Sequence, residues 1–163
     1  MCGIVGYIGS NSAKDIIIKG LKRLEYRGYD SAGISTLYNN NLEITKVKGK
    51  VDKLCSSMKP NAHLGGLGIG HTRWATHGEP NKINSHPHWD ESGKFALVHN
   101  GIIENYNPLK QLLLDNGIIC KTETDTEVLV QFIGYLYKKE NLDFVETVRL
   151  ALNEVVGAYG IAV

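Results

Sequence analysis

The chain has 163 residues, 42% hydrophobic and 21% charged, a composition that suits one domain with a real core. Eighteen Lys and Arg against 17 Asp and Glu leave a net charge of +1, so no strong field draws in nucleic acid or anionic lipid. No apolar run nears the roughly 20 residues of a membrane helix. A disordered chain, a coiled coil, collagen and a transmembrane protein are excluded, and neither nucleic acid nor membrane is an expected partner.

Residues 2–8 (CGIVGYI) are apolar at both parities, which predicts a strand buried on both faces. Ser12 with Asp15 resembles a capping box opening a helix to about Tyr26, with Ile17, Leu21 and Leu24 on one face. Strands are predicted near 32–38 and 42–48, joined by the turn-prone Asn39-Asn40-Asn41, and again at 67–73 and 95–99. Asn107-Pro108 reads as the start of a helix carrying Leu109, Leu112 and Leu113, which Asn116-Gly117 stops. Thr124 with Glu127 caps a second helix through about residue 138, turning Leu129, Ile133 and Leu136 inward. Asp143 with Glu146 opens a third, with Phe144, Val148, Ala151 and Val155 on one stripe. Gly157 ends it, and an apolar strand begins at Tyr159. The last residues lie in that strand without a closing turn, so the expectation is a fragment of a longer protein.

Cys2, Cys55 and Cys120 are odd in number and widely spaced, against a disulfide framework or a C-x-x-C zinc site. The N-terminus lacks the basic region of a signal peptide, and position 2 is not the glycine that myristoylation needs. The cytoplasm is the expected location. The six histidines fit neither the zinc-finger spacing nor H-E-x-x-H, and Gly65-Gly66-Leu-Gly68-Ile-Gly70 is not a phosphate loop. No metal and no cofactor are expected.

Removal of Met1 would give Cys2 a thiol and a free α-amine on one Cα. Such amines titrate near pH 8, roughly, so a fraction is neutral and able to take the thiol proton. The plain alternative is a buried strand cysteine. His71-Thr-Arg73-Trp74-Ala-Thr76-His77 gathers an arginine able to clamp a carboxylate, though such runs are also ordinary solvated loops. Asn100 beside Gly101 offers two donors to a developing oxyanion, or makes an Asn-Gly turn. Asp125 either receives an ammonium group or merely offsets a helix dipole.

Six segments together narrow these alternatives: MCGIVGYIG, LEYRGYDSAG, HTRWATHGEPN, HPH, HNGIIENY and ETDTE. In this order they resemble the class II glutamine amidotransferases, which are N-terminal-nucleophile hydrolases. RGYDSAG with HTRWATHGEP is most similar to the branch forming glucosamine 6-phosphate from fructose 6-phosphate. The resemblance implies an α+β fold, a four-layer αββα sandwich that would be incomplete at its C-terminus, with residues 1–163 as part of the glutaminase domain. It implies Cys2 as nucleophile with its α-amine as base, and Asn100 and Gly101 as the oxyanion hole. L-Glutamine would be held by Arg73 at its carboxylate and Asp125 at its ammonium, with Trp74, Thr76, His77 and His86 in the same pocket. A sugar-phosphate isomerase domain, absent from these residues, would be the partner, in a full-length homo-oligomer. The competing readings are the glutaminase domain of another class II amidotransferase, or a glutamine-binding fragment without catalysis.

Overall fold

The computed structural model describes residues 2–75 and 79–163. Among them the chain runs β1 (Gly3–Ile8), α1 (Ala13–Leu24), a 3-10 turn (Glu25–Arg27), β2 (Ser31–Tyr38), β3 (Asn41–Lys48) and α2 (Val51–Ser57). It continues through β4 (Leu67–Arg73), β5 (His88–Trp89), β6 (Ala96–Ile103), α3 (Tyr106–Asp115), α4 (Asp125–Glu140), α5 (Phe144–Glu154) and β7 (Gly157–Ala162). One antiparallel sheet has the order β1-β4-β2-β3, the other β5-β6-β7. α1 packs on β1 and β4, and α2 on β2 and β3, while α4 covers β5 and β6 with α3 and α5 against it. The sheets meet through β1 and β4 against β6. The result is helix, sheet, sheet, helix: the α+β four-layer sandwich that the resemblance implied.

Local signals start the elements and burial holds them. Ser12 Oγ accepts from Asp15 N at 3.3 Å, and Ile17 and Leu21 of α1 are fully buried among Ile34, Val51 and Leu54. Thr124 Oγ1 accepts from Glu127 N at 3.2 Å, and Leu129 and Ile133 of α4 are fully buried with Leu97, Ile103 and Leu113. Each such side chain contributes about 1.5–3 kcal/mol by leaving water. Asn39 and Asn40 both take positive φ, as the tight hairpin between β2 and β3 requires.

Four expectations need correction. β1 is not buried on both faces: it is a sheet edge paired only with β4, and Ile8 is 79% exposed. α3 starts at Tyr106, ahead of Asn107-Pro108, and its N-cap Asn105 uses its side chain elsewhere, donating to Glu154 O and accepting from Val156 N. Phe144, expected on the apolar stripe of α5, is 46% exposed. β6 runs on to Ile103, because β7 pairs with it from Val98 onward.

α2 and β5 went unpredicted. The first backbone N–H of α2, on Val51, is capped by the Glu25 carboxylate at 2.6 Å from 26 residues away, which no local pattern reveals.

The middle layer is polar. His71, Arg73, His86, His88 and His99 are all buried there and around the start of α4. The segment carrying His86 crosses β2 so closely that a Cβ on Gly33 would lie 2.0 Å from His86 O. A side chain there would lift that segment away from the sheet.

Candidate active site

Cys2, Arg73, Trp74, Asn100, Gly101 and Asp125 line one cavity of about 340 Å³. They come from the start of β1, the end of β4, the second half of β6 and the first residue of α4. β1 pairs with β4 so that Gly3 sits opposite Thr72, which brings Cys2 beside the residues that follow β4. Cys2 Sγ accepts from Trp74 N at 3.2 Å and lies 3.5 Å from Trp74 O. The Trp74 ring is half-exposed and stands edge-on to Tyr29, with ring centres 5.5 Å apart.

The Asn100 amide faces Cys2, its Nδ2 donating to Cys2 O at 3.3 Å. On β6, the N–H groups of His99 and Ile103 point away from β7, to His86 Nδ1 at 3.3 Å and Asp125 Oδ2 at 2.9 Å. Alternation along the strand turns the Gly101 N–H the same way. Gly101 takes φ +120°, and a Cβ there would lie 2.2 Å from Ala158 O, so only glycine fits. The second half of β6 is thus a row of outward donors on the edge not used by β7. This is strand, not an Asn-Gly turn.

Arg73 is 4% exposed, and its Nη1 donates to Glu79 O at 3.4 Å. Burial lowers its pKa, while Asp30, the Cys2 thiol, Asp125 and Glu123 act the other way by favouring the cation. Asp125 Oδ2 accepts from Ile103 N, and its Oδ1 lies 3.7 Å from His99 Nδ1. The cavity therefore offers a buried cation and an anion, with a sulfur, the Asn100 amide and the Gly101 N–H. Those are the groups that hold a zwitterion by both ends and present its side chain to a nucleophile.

His86 also lines the cavity, but both of its ring nitrogens meet protein groups, His99 N and the Thr126 hydroxyl at 3.3 Å each. Burial and the neighbouring His71, His88, His99 and Arg73 push its pKa well down, so it is a neutral wall residue. Thr76 and His77 lie outside the described residues. Arg27, His71, His99, Ile102, Thr124 and Thr126 complete the lining, and the sequence reading gave none of them a part in the site, Thr124 being read only as a helix cap. His71 was within reach of it: two residues before Arg73 on one strand, it must share that face. Thr126 was not, since its contacts with His86 and His99 join segments 40 and 27 residues apart. Among the described residues no group of three His, Cys, Asp or Glu is arranged to hold a metal, and no helix is long and apolar enough to cross a membrane.

Comparison with known proteins places the chain in a family. Over its whole length the chain is 56% identical to the glutamine–fructose-6-phosphate aminotransferase (isomerizing) of Bacteroides thetaiotaomicron, of which it covers 27%. It is 50% identical to that of Pyrococcus horikoshii, again covering 27%. The chain thus spans about a quarter of the length of these relatives. The solved glutamine phosphoribosylpyrophosphate amidotransferase of B. subtilis, complexed with ADP and GMP, superposes with a TM-score of 0.83 at 29% identity. That match covers 99% of this chain and 34% of the other. A second structure, the allosteric regulatory enzyme of purine biosynthesis, gives a TM-score of 0.85 at 30% identity with the same coverage. Residues 58–146 match the family model described as the glutamine amidotransferase domain. That span holds Arg73, Asn100 and Asp125, and the chain belongs to the glutamine amidotransferase family.

Proposed function

We propose that residues 1–163 form the glutaminase part of a glutamine–fructose-6-phosphate aminotransferase. It hydrolyses L-glutamine to glutamate and ammonia through a thioester on Cys2. The observation that carries this reading is the convergence of Cys2, Asn100, Arg73 and Asp125 on one cavity of about 340 Å³. Arg73 takes the glutamine carboxylate in a charge-assisted pair, and Asp125 takes the ammonium. The side-chain amide then extends toward Cys2. With Met1 removed, the Cys2 α-amine accepts the thiol proton, and the sulfur attacks the δ-carbonyl carbon to form a C–S bond. The carbonyl oxygen becomes an oxyanion, received by Asn100 Nδ2 and the Gly101 N–H, donors such as are worth about 3–4 kcal/mol each in comparable sites. The α-ammonium returns its proton to the departing nitrogen, which leaves as ammonia. Water, deprotonated by the same amine, cleaves the thioester to glutamate and restores the thiol.

The ammonia then passes to a sugar-phosphate isomerase domain of the same protein, where fructose 6-phosphate becomes glucosamine 6-phosphate. The identity to such aminotransferases over the whole chain supports this step. Homo-oligomerisation belongs to that full-length protein. The three free thiols, Cys2, Cys55 and Cys120, support a reducing cytoplasm.

An electrophilic glutamine analogue tests the site. It should alkylate Cys2 and spare Cys55 and Cys120, the latter with its thiol pushed up to about 11 by burial. Intact mass should lack one methionine, and Cys2→Ala should abolish hydrolysis while glutamine still binds. Equal labelling of all three thiols, or turnover surviving in Cys2→Ala, would overturn the mechanism.

A further inference from the structure

His71 is fully buried between the sheets, and its Nε2 faces two oxygens: the backbone carbonyl of His99 at 3.1 Å and Asn100 Oδ1 at 2.8 Å. A carbonyl only accepts, so Nε2 carries the proton and the ring is a donor toward both. The other end of the Asn100 amide lies 3.3 Å from Cys2 O, which also only accepts. The amide is therefore held from two sides. An amide turned by 180° would set its NH₂ against the His71 N–H and its oxygen against Cys2 O, two repulsive contacts in place of two hydrogen bonds. His71 Nδ1 has no hydrogen-bond partner, and the ring lies stacked on His86 with centres 4.2 Å apart. All of its directional bonding goes to the pair His99 and Asn100.

We propose that His71 is a positioning residue for amide hydrolysis: its Nε2–H fixes which end of the Asn100 amide faces the reacting carbon. This rests on the reading of Asn100 as an oxyanion donor. His71 touches no reacting atom in that role. It acts through Asn100 alone, by keeping Nδ2 aimed at the place where the negative charge develops and Oδ1 turned away from it. An Asn100 free to rotate would present its carbonyl oxygen to the oxyanion for part of the time, replacing attraction by repulsion.

A double-mutant cycle separates this from a filling role. In the protein as encoded, His71→Leu should lower kcat for glutamine hydrolysis about 10-fold or more with KM nearly unchanged, and His71→Gln, which restores an N–H at the same reach, should recover most of the loss. In an Asn100→Ala background the same His71→Leu change should alter kcat less than about 2-fold, because the group it positions is gone. Thermal melts identify variants that fail to fold; if His71→Leu is one, His71→Met, which also lacks an N–H, takes its place in the cycle. Equal fold-losses in both backgrounds, or no rescue by Gln, would overturn the inference while leaving the glutaminase reading intact. A wild-type protein without glutaminase activity, or one indifferent to Cys2→Ala, would instead sink that reading.

Discussion

Gly33→Ala tests how the polar middle layer is assembled. Gly33 lies in β2, opposite His71 of β4 and Lys46 of β3, with no positive φ, so the backbone itself tolerates alanine. The obstacle is space. The new Cβ would stand 2.0 Å from His86 O and 3.0 Å from His86 C and Pro87 Cδ. Reaching ordinary contact takes a displacement of about 1 Å or more, and the clash is with backbone rather than with the end of a flexible side chain. Overpacking of this kind costs about 3 kcal/mol. For a domain of this size that lowers Tm by about 6–12 °C. Moving the segment also disturbs the His86 ring stacked 4.2 Å from His71, and the 3.3 Å bond that His86 Nδ1 accepts from His99 N. Glutaminase activity should therefore fall together with stability. The assay is thermal unfolding by circular dichroism beside ammonia release at 25 °C, which lies below the roughly 45–65 °C usual for such midpoints even after that shift. A variant melting within about 1 °C of the parent would refute the argument that Gly33 is there for close approach.

Two further outcomes follow from the cavity. Arg73→Lys should weaken glutamine binding by about 1.5–3 kcal/mol, since an ammonium cannot reproduce two parallel hydrogen bonds to a carboxylate; calorimetric titration showing unchanged affinity would remove Arg73 from the pocket. Acid should destabilise the protein through its buried imidazoles. Burial lowers the His71 pKa from 6.5 to about 4 and drives His86 and His88 the same way. Between those values the unfolded chain binds a proton that the folded chain refuses, so stability is full above pH 6.5 and is lost as the pH falls toward 4. His71 alone accounts for about 3 kcal/mol of that loss. Urea midpoints at about pH 7 and pH 4.5 measure it, and equal midpoints would contradict the burial of these rings as neutral groups.

Signals that lie within one turn of chain were legible. Ser12, Thr124 and Asp143 each cap the helix that follows by accepting an N–H three residues on. The Asn39-Asn40 turn fixes the hairpin, because two short polar residues at positive φ match the twist of the flanking strands. Signals that depend on distant partners were not. Asn105 is spent on the approach to β7, Glu25 caps a helix 26 residues away, and Ile8 is exposed because β1 is a sheet edge rather than an interior strand.

The candidate site divides in the same way. The order of its residue types in the chain already assembled the set: a thiol at position 2, an arginine, an Asn-Gly pair and an acidic helix start, each suited to one part of an amide-bearing zwitterion. Only the stacking of the two sheets decided that these four groups face one cavity. Tertiary structure alone also turned the Asn100 amide through His71 and committed both His86 nitrogens to the protein. The reason is geometric. Side-chain chemistry and caps are written within a few residues, whereas the direction of a buried hydrogen bond depends on which strand arrives opposite, and strand pairing is set by the burial of the whole sheet.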